Sequence, residues 1–219
     1  MGIEVDLLIN YPKSKRDLKK RLEEKSEEDR KIARNFGKEF FDGTRSQGYG
    51  GYNYNSKFWE PVVPTFKEYW DLDHNSNILD VGCGKGFMLY DFSRLIPGIK
   101  ITGIDISEYA IENSLVEIKK NLQVANAKKL PFKNKSFDAV VSISTIHNLS
   151  KVECRDALKE IERVSNGKSF ITVDAYRNSE EKEKIFSWNL TAKTILSVEE
   201  WKNFFKEVGY TGDYYWFIP

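Results

Sequence analysis

Three glycines and two aspartates carry the most specific chemical signal in this chain. Gly82, Gly84 and Gly86 alternate with Cys83 and Lys85 directly after the run Ile78-Leu-Asp80-Val, and the next apolar run ends in Asp105, nineteen residues beyond Gly86. A glycine turn between a strand and a helix lets a ligand approach the backbone closely. An acid at the end of the following strand is placed to accept hydrogen bonds from two ribose hydroxyls, which implies a ligand with a free 2′,3′-diol. The spacing then discriminates between ligands. A dinucleotide fingerprint, G-x-G-x-x-G, needs glycine at position 87, where this chain has the bulky Phe87; its third glycine comes one residue early.

The elements that must position these residues are legible from Asn77 onward. Short apolar runs, ILDV, ITGIDI, LQVANA, FDAVVSIS and SFITVDA, alternate with amphipathic segments starting near Phe87, Glu108 and Lys151. Continuous apolar runs read as strands buried on both faces, and their alternation with helices predicts right-handed crossovers and a parallel sheet. The expected fold is therefore α/β, a Rossmann-like, doubly wound, mostly parallel sheet with helices on both faces. Ser150 and Ser197, each followed three residues later by Glu, mark two helix starts. Before the sheet, Leu18, Leu22, Ile32, Phe36 and Phe40 recur at helical intervals in a charged stretch, and Trp59 to Trp70 resumes that spacing with Pro61 and Pro64 in its first turn. The chain divides into a helical and lid segment over 1–76 and a ligand-binding core over 77–219.

Bulk properties exclude several classes of function. The 34 basic and 33 acidic residues nearly cancel, so no overall field gathers nucleic acid or anionic lipid. Two cysteines are too few for a disulfide framework and lack metal-ligand spacing, which fits a cytoplasmic setting, and no run suits a membrane span. No metal, membrane or nucleic-acid partner is expected.

Ile78-Leu-Asp-Val-Gly-Cys-Gly-Lys-Gly86, Gly103-Ile-Asp-Ile-Ser107, Asn126-Ala-Lys-Lys-Leu-Pro-Phe132 and Ser136-Phe-Asp-Ala-Val-Val-Ser142 occur in this order. Together they resemble the class I S-adenosylmethionine-dependent methyltransferases, the type 11 group that includes ubiquinone and menaquinone biosynthesis enzymes. The resemblance covers roughly Asn77 to Tyr176. It implies S-adenosylmethionine as cofactor, with Asp80, Gly82, Cys83, Gly84 and Gly86 around its methionine part, Asp105 and Ile106 at the ribose, Asn126 and Ala127 at adenine, and Ser142 and Ser144 at the end of the fourth strand. Asn126 stands where the family commonly has an acid. After the Ser197 helix only enough chain remains for one strand, where the family usually closes its sheet with a hairpin.

Two further features bear on chemistry. His147, just beyond the fourth strand, is the candidate general base; the alternative is a structural histidine, with Asp174, Tyr176 or a lid tyrosine then serving the acceptor. The stretch from Arg45 to Trp59 combines glycines with Tyr49, Tyr52, Tyr54, Phe58 and Trp59. It reads as a lid and pocket wall, mobile without ligand, in which Tyr52 faces the sulfonium and Arg45 the cofactor carboxylate. Trp188, Tyr214, Tyr215 and Trp216 are expected in the core. The favoured function is methyl transfer to a small polar molecule. A non-catalytic S-adenosylmethionine-binding subunit and a nicotinamide-dependent oxidoreductase are the rivals, the latter opposed by the early third glycine.

Overall fold

Ile78, Leu79 and Val81 have no exposed surface, because the strand they form lies at the centre of a sheet covered on both faces. The computed structural model describes residues 2–12 and 26–218, so the expected apolar positions Leu18 and Leu22 lie outside the described residues. The strands are β1 (Asn77–Val81), β2 (Lys100–Asp105), β3 (Leu122–Val124), β4 (Ala139–Ile143), β5 (Ser169–Tyr176), β6 (Leu196–Ser197) and β7 (Asp213–Phe217). The order is β3-β2-β1-β4-β5-β6, with β7 also paired to β5, and every pairing between these strands is parallel. The reversal of strand order between β1 and β4 creates the crevice in which such sheets hold ligands, at the carboxyl ends of the strands.

The helices are α1 (Glu27–Ala33), α2 (Lys38–Asp42), α3 (Ser56–Trp59), α4 (Val63–Trp70), α5 (Phe87–Leu95), α6 (Glu108–Glu112), α7 (Lys151–Val164), α8 (Ser179–Trp188) and α9 (Val198–Val208). Both expected capping boxes form: Glu153 accepts from the Ser150 N–H at 3.0 Å and Glu200 from the Ser197 N–H at 2.7 Å. The segment read as one helix from Trp59 to Trp70 is two, because the chain turns at 60–62 before Pro64 enters the first turn of α4.

One core layer joins α7, α9 and β7, with Leu158, Ile161, Trp201 and Phe205 buried; the other joins Val63, Phe66 and Trp70 of α4 to Leu89 and Phe92 of α5. Each fully buried side chain of this size contributes about 1.5 to 3 kcal/mol. The sheet ends with β7 lying parallel to β5, with Asp174 beside Phe217, and the amino-terminal residues bridge the outer edge of β7: Val5 N–H donates to Tyr214 O and Tyr214 N–H to Ile3 O, both at 3.1 Å.

Candidate functional site

The carboxyl ends of β1, β2, β4 and β5 open into a cleft of about 950 Å³, walled on the opposite side by residues from 34 to 59 and by Asp6, Leu8 and Tyr11. Asp80, Gly82, Cys83, Gly84, Asp105, Ile106, Asn126, Ala127, Ser144, His147, Arg45 and Tyr52 all line it. Two expected residues stand apart. Ser142 is fully buried and its Oγ donates to Val81 O at 2.8 Å, so it ties β4 to β1. Gly86 packs the start of α5 against Ile118 and Leu122, whose methyl groups lie 2.7 Å from where a Cβ would stand.

The backbone of the glycine turn is folded inward. Gly82 N–H and Cys83 N–H both donate to Ile104 O, at 2.8 and 2.9 Å, Gly84 N–H to Asp105 Oδ2 at 2.7 Å, and Gly86 N–H to Cys83 O at 2.9 Å. None of these four donors is left to cradle a phosphate. Gly82 adopts φ +88°, and Thr145 Oγ1 lies 2.1 Å from its missing Cβ, so Thr145 fills the space beside the turn. Lys85 is buried and donates to both carboxylate oxygens of Asp42, removing its charge from the cleft.

Two carboxyl groups stand beside the glycine turn. Asp80, 4% exposed, forms no hydrogen bond or ion pair with the described residues; burial first and then the nearby Asp105 push its pKa up from 3.8 to about 8. Asp105 accepts from Gly84 N–H and, at 2.9 Å, from Ser107 N–H, so it braces the turn while keeping lone pairs for a ligand. Burial raises its pKa, against the opposing effect of those N–H donors. Beside it Ile106 is 54% exposed, an apolar platform at the cleft edge. Asn126 Oδ1 accepts from Lys128 N–H at 3.0 Å, which holds the β3 turn in place.

Ser144 adopts φ +52°, uncommon for a residue with a side chain, and its N–H donates to Thr172 Oγ1 at 2.9 Å. The next helical turn presents His147, whose Nδ1 accepts the Asp174 N–H at 2.9 Å. Burial lowers the His147 pKa, with Asp174 opposing, so the ring is neutral at neutral pH. Since Nδ1 accepts, the single ring proton sits on Nε2, and the free edge of the ring is a donor.

The Arg45 to Trp59 stretch does form a wall, through Arg45, Gly48, Tyr49, Tyr52 and Trp59. The Tyr49 and Tyr52 rings stack at 4.4 Å, and burial drives the Tyr52 hydroxyl well above its ordinary pKa. The wall is tied down: Tyr52 N–H donates to Asp42 at 2.9 Å and Tyr54 OH to buried Asp91 at 2.7 Å. Arg45 lies on the surface, donating to Tyr49 O. Sequence reasoning missed Thr145, the Asp42 partner of Lys85, the amino-terminal residues Asp6, Leu8 and Tyr11, and the cleft positions of Trp188, Tyr215 and Trp216. Tyr214 and Trp216 are in the core and Trp188 is buried, as expected, although Trp188 and Trp216 also reach the cleft. Lys85, flanked by glycines in the motif, was the one available signal.

Residues 79–172 match a protein family described as a methyltransferase domain. Over 145 residues, 64% of this chain, the sequence is 34% identical to a tRNA (carboxymethyluridine(34)-5-O)-methyltransferase of Arabidopsis thaliana. Over 152 residues, 65% of this chain, it is 30% identical to a demethylmenaquinone methyltransferase of Symbiobacterium thermophilum. The chain spans 33% and 59% of the length of these relatives. The fold is shared with phosphoethanolamine N-methyltransferase 2 of Haemonchus contortus, solved with phosphomonomethylethanolamine and S-adenosylhomocysteine: TM-score 0.58 at 17% identity, over 81% of this chain and 44% of that one. Among the described residues no helix is long and apolar enough to cross a membrane. The four ordered motifs around one cleft thus fall largely within residues 79–172, the segment that forms a methyltransferase domain.

Proposed function

We propose that the protein transfers a methyl group from S-adenosylmethionine to a small polar molecule and releases S-adenosylhomocysteine. The observation that carries this reading is the polarity of the glycine turn. The N–H groups of Gly82, Cys83, Gly84 and Gly86 are consumed internally, Lys85 is neutralised by Asp42, and the carboxyl of Asp80 stands without a partner among the described residues. Such a turn offers a pyrophosphate few donors, and a cationic group beside Asp80 would favour its ionised form, which separates it from a nicotinamide site.

In this reading Asp80 accepts from the cofactor's ammonium, Asp105 from its ribose hydroxyls, and Ile106 covers one face of the adenine, with Asn126 and Ala127 at its edge. Tyr52 places an aromatic ring beside the glycine turn, near enough to Gly84 for its Cε1 to meet a Cβ there at 3.4 Å. Arg45 reaches the carboxylate only by giving up its bond to Tyr49 O. When bound, the cofactor supplies a methyl group on a sulfonium, a good leaving group. The chain's task is then alignment and exclusion of water. His147 contributes a donor Nε2–H that orients an acceptor atom. The test is incubation of the purified protein with labelled S-adenosylmethionine and a metabolite extract. Label appearing in one small molecule supports the reading, whereas cofactor binding without any labelled product would leave the non-catalytic subunit in its place.

A further inference from the structure

Asp174 is a third buried carboxyl of the cleft, and the cofactor has no use for it. It is 7% exposed, lines the cleft, and its side-chain oxygens accept no hydrogen bond from the described residues. Its own N–H and C=O are occupied, by His147 Nδ1 and by Trp201 Nε1 at 2.9 Å each, so the backbone is fixed while the carboxylate stays available. His147 Nδ1 lies 3.7 Å from Asp174 Oδ1, but the ring is neutral and offers that oxygen no proton.

Among the described residues no cation is paired with this carboxylate. Of the basic residues lining the cleft, Lys128 is paired with Glu153, Arg45 donates to Tyr49 O, and Arg34 and Lys193 are exposed at the rim. None forms an ion pair with Asp174. Thr172, two residues earlier on β5, shares its face and also lines the cleft, while Phe217 lies beside Asp174 across the β5–β7 pairing and carries the Trp188 ring at 5.9 Å. An isolated buried carboxylate is costly unless paired, and aromatic faces add attraction for a cation. Burial raises the Asp174 pKa, with the nearby His147 opposing, so a cationic partner is what would hold the group ionised; a neutral hydroxyl compound would not do so, and an anionic acceptor would gain nothing from it.

We propose that this end of the cleft is an ammonium-binding subsite in which Asp174 is the counter-ion, so that the methyl acceptor is a small molecule carrying a cationic amine. This rests on the methyltransferase reading, because the ammonium and sulfonium of the cofactor are assigned to the opposite end, at Asp80 and Tyr52. The subsite gives Asp174 a partner and leaves the Nε2–H of His147 to a second polar atom of the acceptor.

The test uses the whole chain saturated with S-adenosylhomocysteine, whose own binding is measured first by calorimetry. Three probes of one size and different charge, n-butylammonium, 1-butanol and butyrate, are then compared by ligand-observed NMR titration. The ammonium is expected to bind about tenfold or more tightly than the alcohol, the scale of one charge-assisted contact, and butyrate not at all. Asp174→Asn is expected to bring ammonium and alcohol within about threefold of each other. Butanol or butyrate binding as well as the ammonium in the unaltered protein overturns the subsite, and so does an ammonium preference that survives in a folded Asp174→Asn. Failure of S-adenosylhomocysteine to bind defeats the methyltransferase reading itself and the subsite with it, whereas its binding without an ammonium preference defeats the subsite alone.

Discussion

Lys85, the one charged side chain of the glycine turn, donates through Nζ to both oxygens of Asp42, at 2.9 and 2.7 Å. Asp42 also accepts from Tyr52 N–H and Tyr109 OH, so a single carboxylate joins the turn, the wall and α6. Burial tends to raise its pKa, but Lys85, Tyr52 and Tyr109 together hold it below the usual carboxylate value.

Asp42→Asn should therefore leave the Lys85 ammonium buried without a counter-charge. A broken buried pair costs about 3 to 5 kcal/mol, and the partial exposure of Asp42 reduces this to roughly 2. The thermal midpoint should fall by about 4 to 8 °C at neutral pH. With its folded pKa depressed, Asp42 adds stability above the unfolded pKa of 3.8, and that stability is lost as pH falls through the folded value. The deficit of the variant should accordingly shrink in acid. A double variant with Lys85→Met that loses as much as both single changes summed would show the two residues to be uncoupled.

Asp80 has the opposite sign. Its folded pKa of about 8 lies above 3.8, so the folded protein binds this proton more tightly and stability declines as pH rises between those values. Asp80→Asn should be more stable than the parent near pH 8.5 and about equal near pH 4, as read by thermal melts across that range. Equal melting points throughout would mean that Asp80 is solvated or paired.

His147 should be found as the neutral tautomer protonated on Nε2. With only two histidines in the chain, nitrogen NMR assigns it directly. Because burial depresses its pKa, stability is full above 6.5 and falls as pH drops below it. His147→Ala should leave the Asp174 N–H unpaired at a cost of about 1 to 3 kcal/mol. A pH–rate profile that rises with an imidazole pKa near 6.5, and flattens in the variant, would establish His147 as the general base.

The wall from Arg45 to Trp59 should be cut slowly by proteases near its exposed glycines, Gly50 and Gly51, and more slowly still with cofactor present. Tyr54→Phe removes the hydroxyl that Asp91 accepts from, and should speed that cutting severalfold. Identical digestion of parent and variant would show that Tyr54 does not hold the wall.

How much of this was legible in the sequence depended on range. The parallel sheet, the glycine turn and the caps at Ser150 and Ser197 are written in local patterns of apolar runs and short spacings, and each formed where expected. Contacts between distant segments leave no such pattern. Nothing near Asp42 announces Lys85, and nothing near Ile3 announces the edge of β7. The position of His147 beyond β4 was readable, but its tautomer depends on an N–H from β5, 27 residues away. Ser142 looked like part of the site because strand ends carry ligands, yet its side chain points between strands.

The central claim, that the glycine turn holds a cationic sulfonium cofactor and no dinucleotide, is tested most directly by calorimetry of the purified chain with S-adenosylmethionine and with NAD. The account predicts one S-adenosylmethionine bound per chain, no heat with NAD, and a loss of roughly tenfold or more in affinity in Asp80→Asn at pH 8.5, where the parent carboxylate is mostly ionised. Binding of NAD, or S-adenosylmethionine affinity unchanged in that variant, would contradict it.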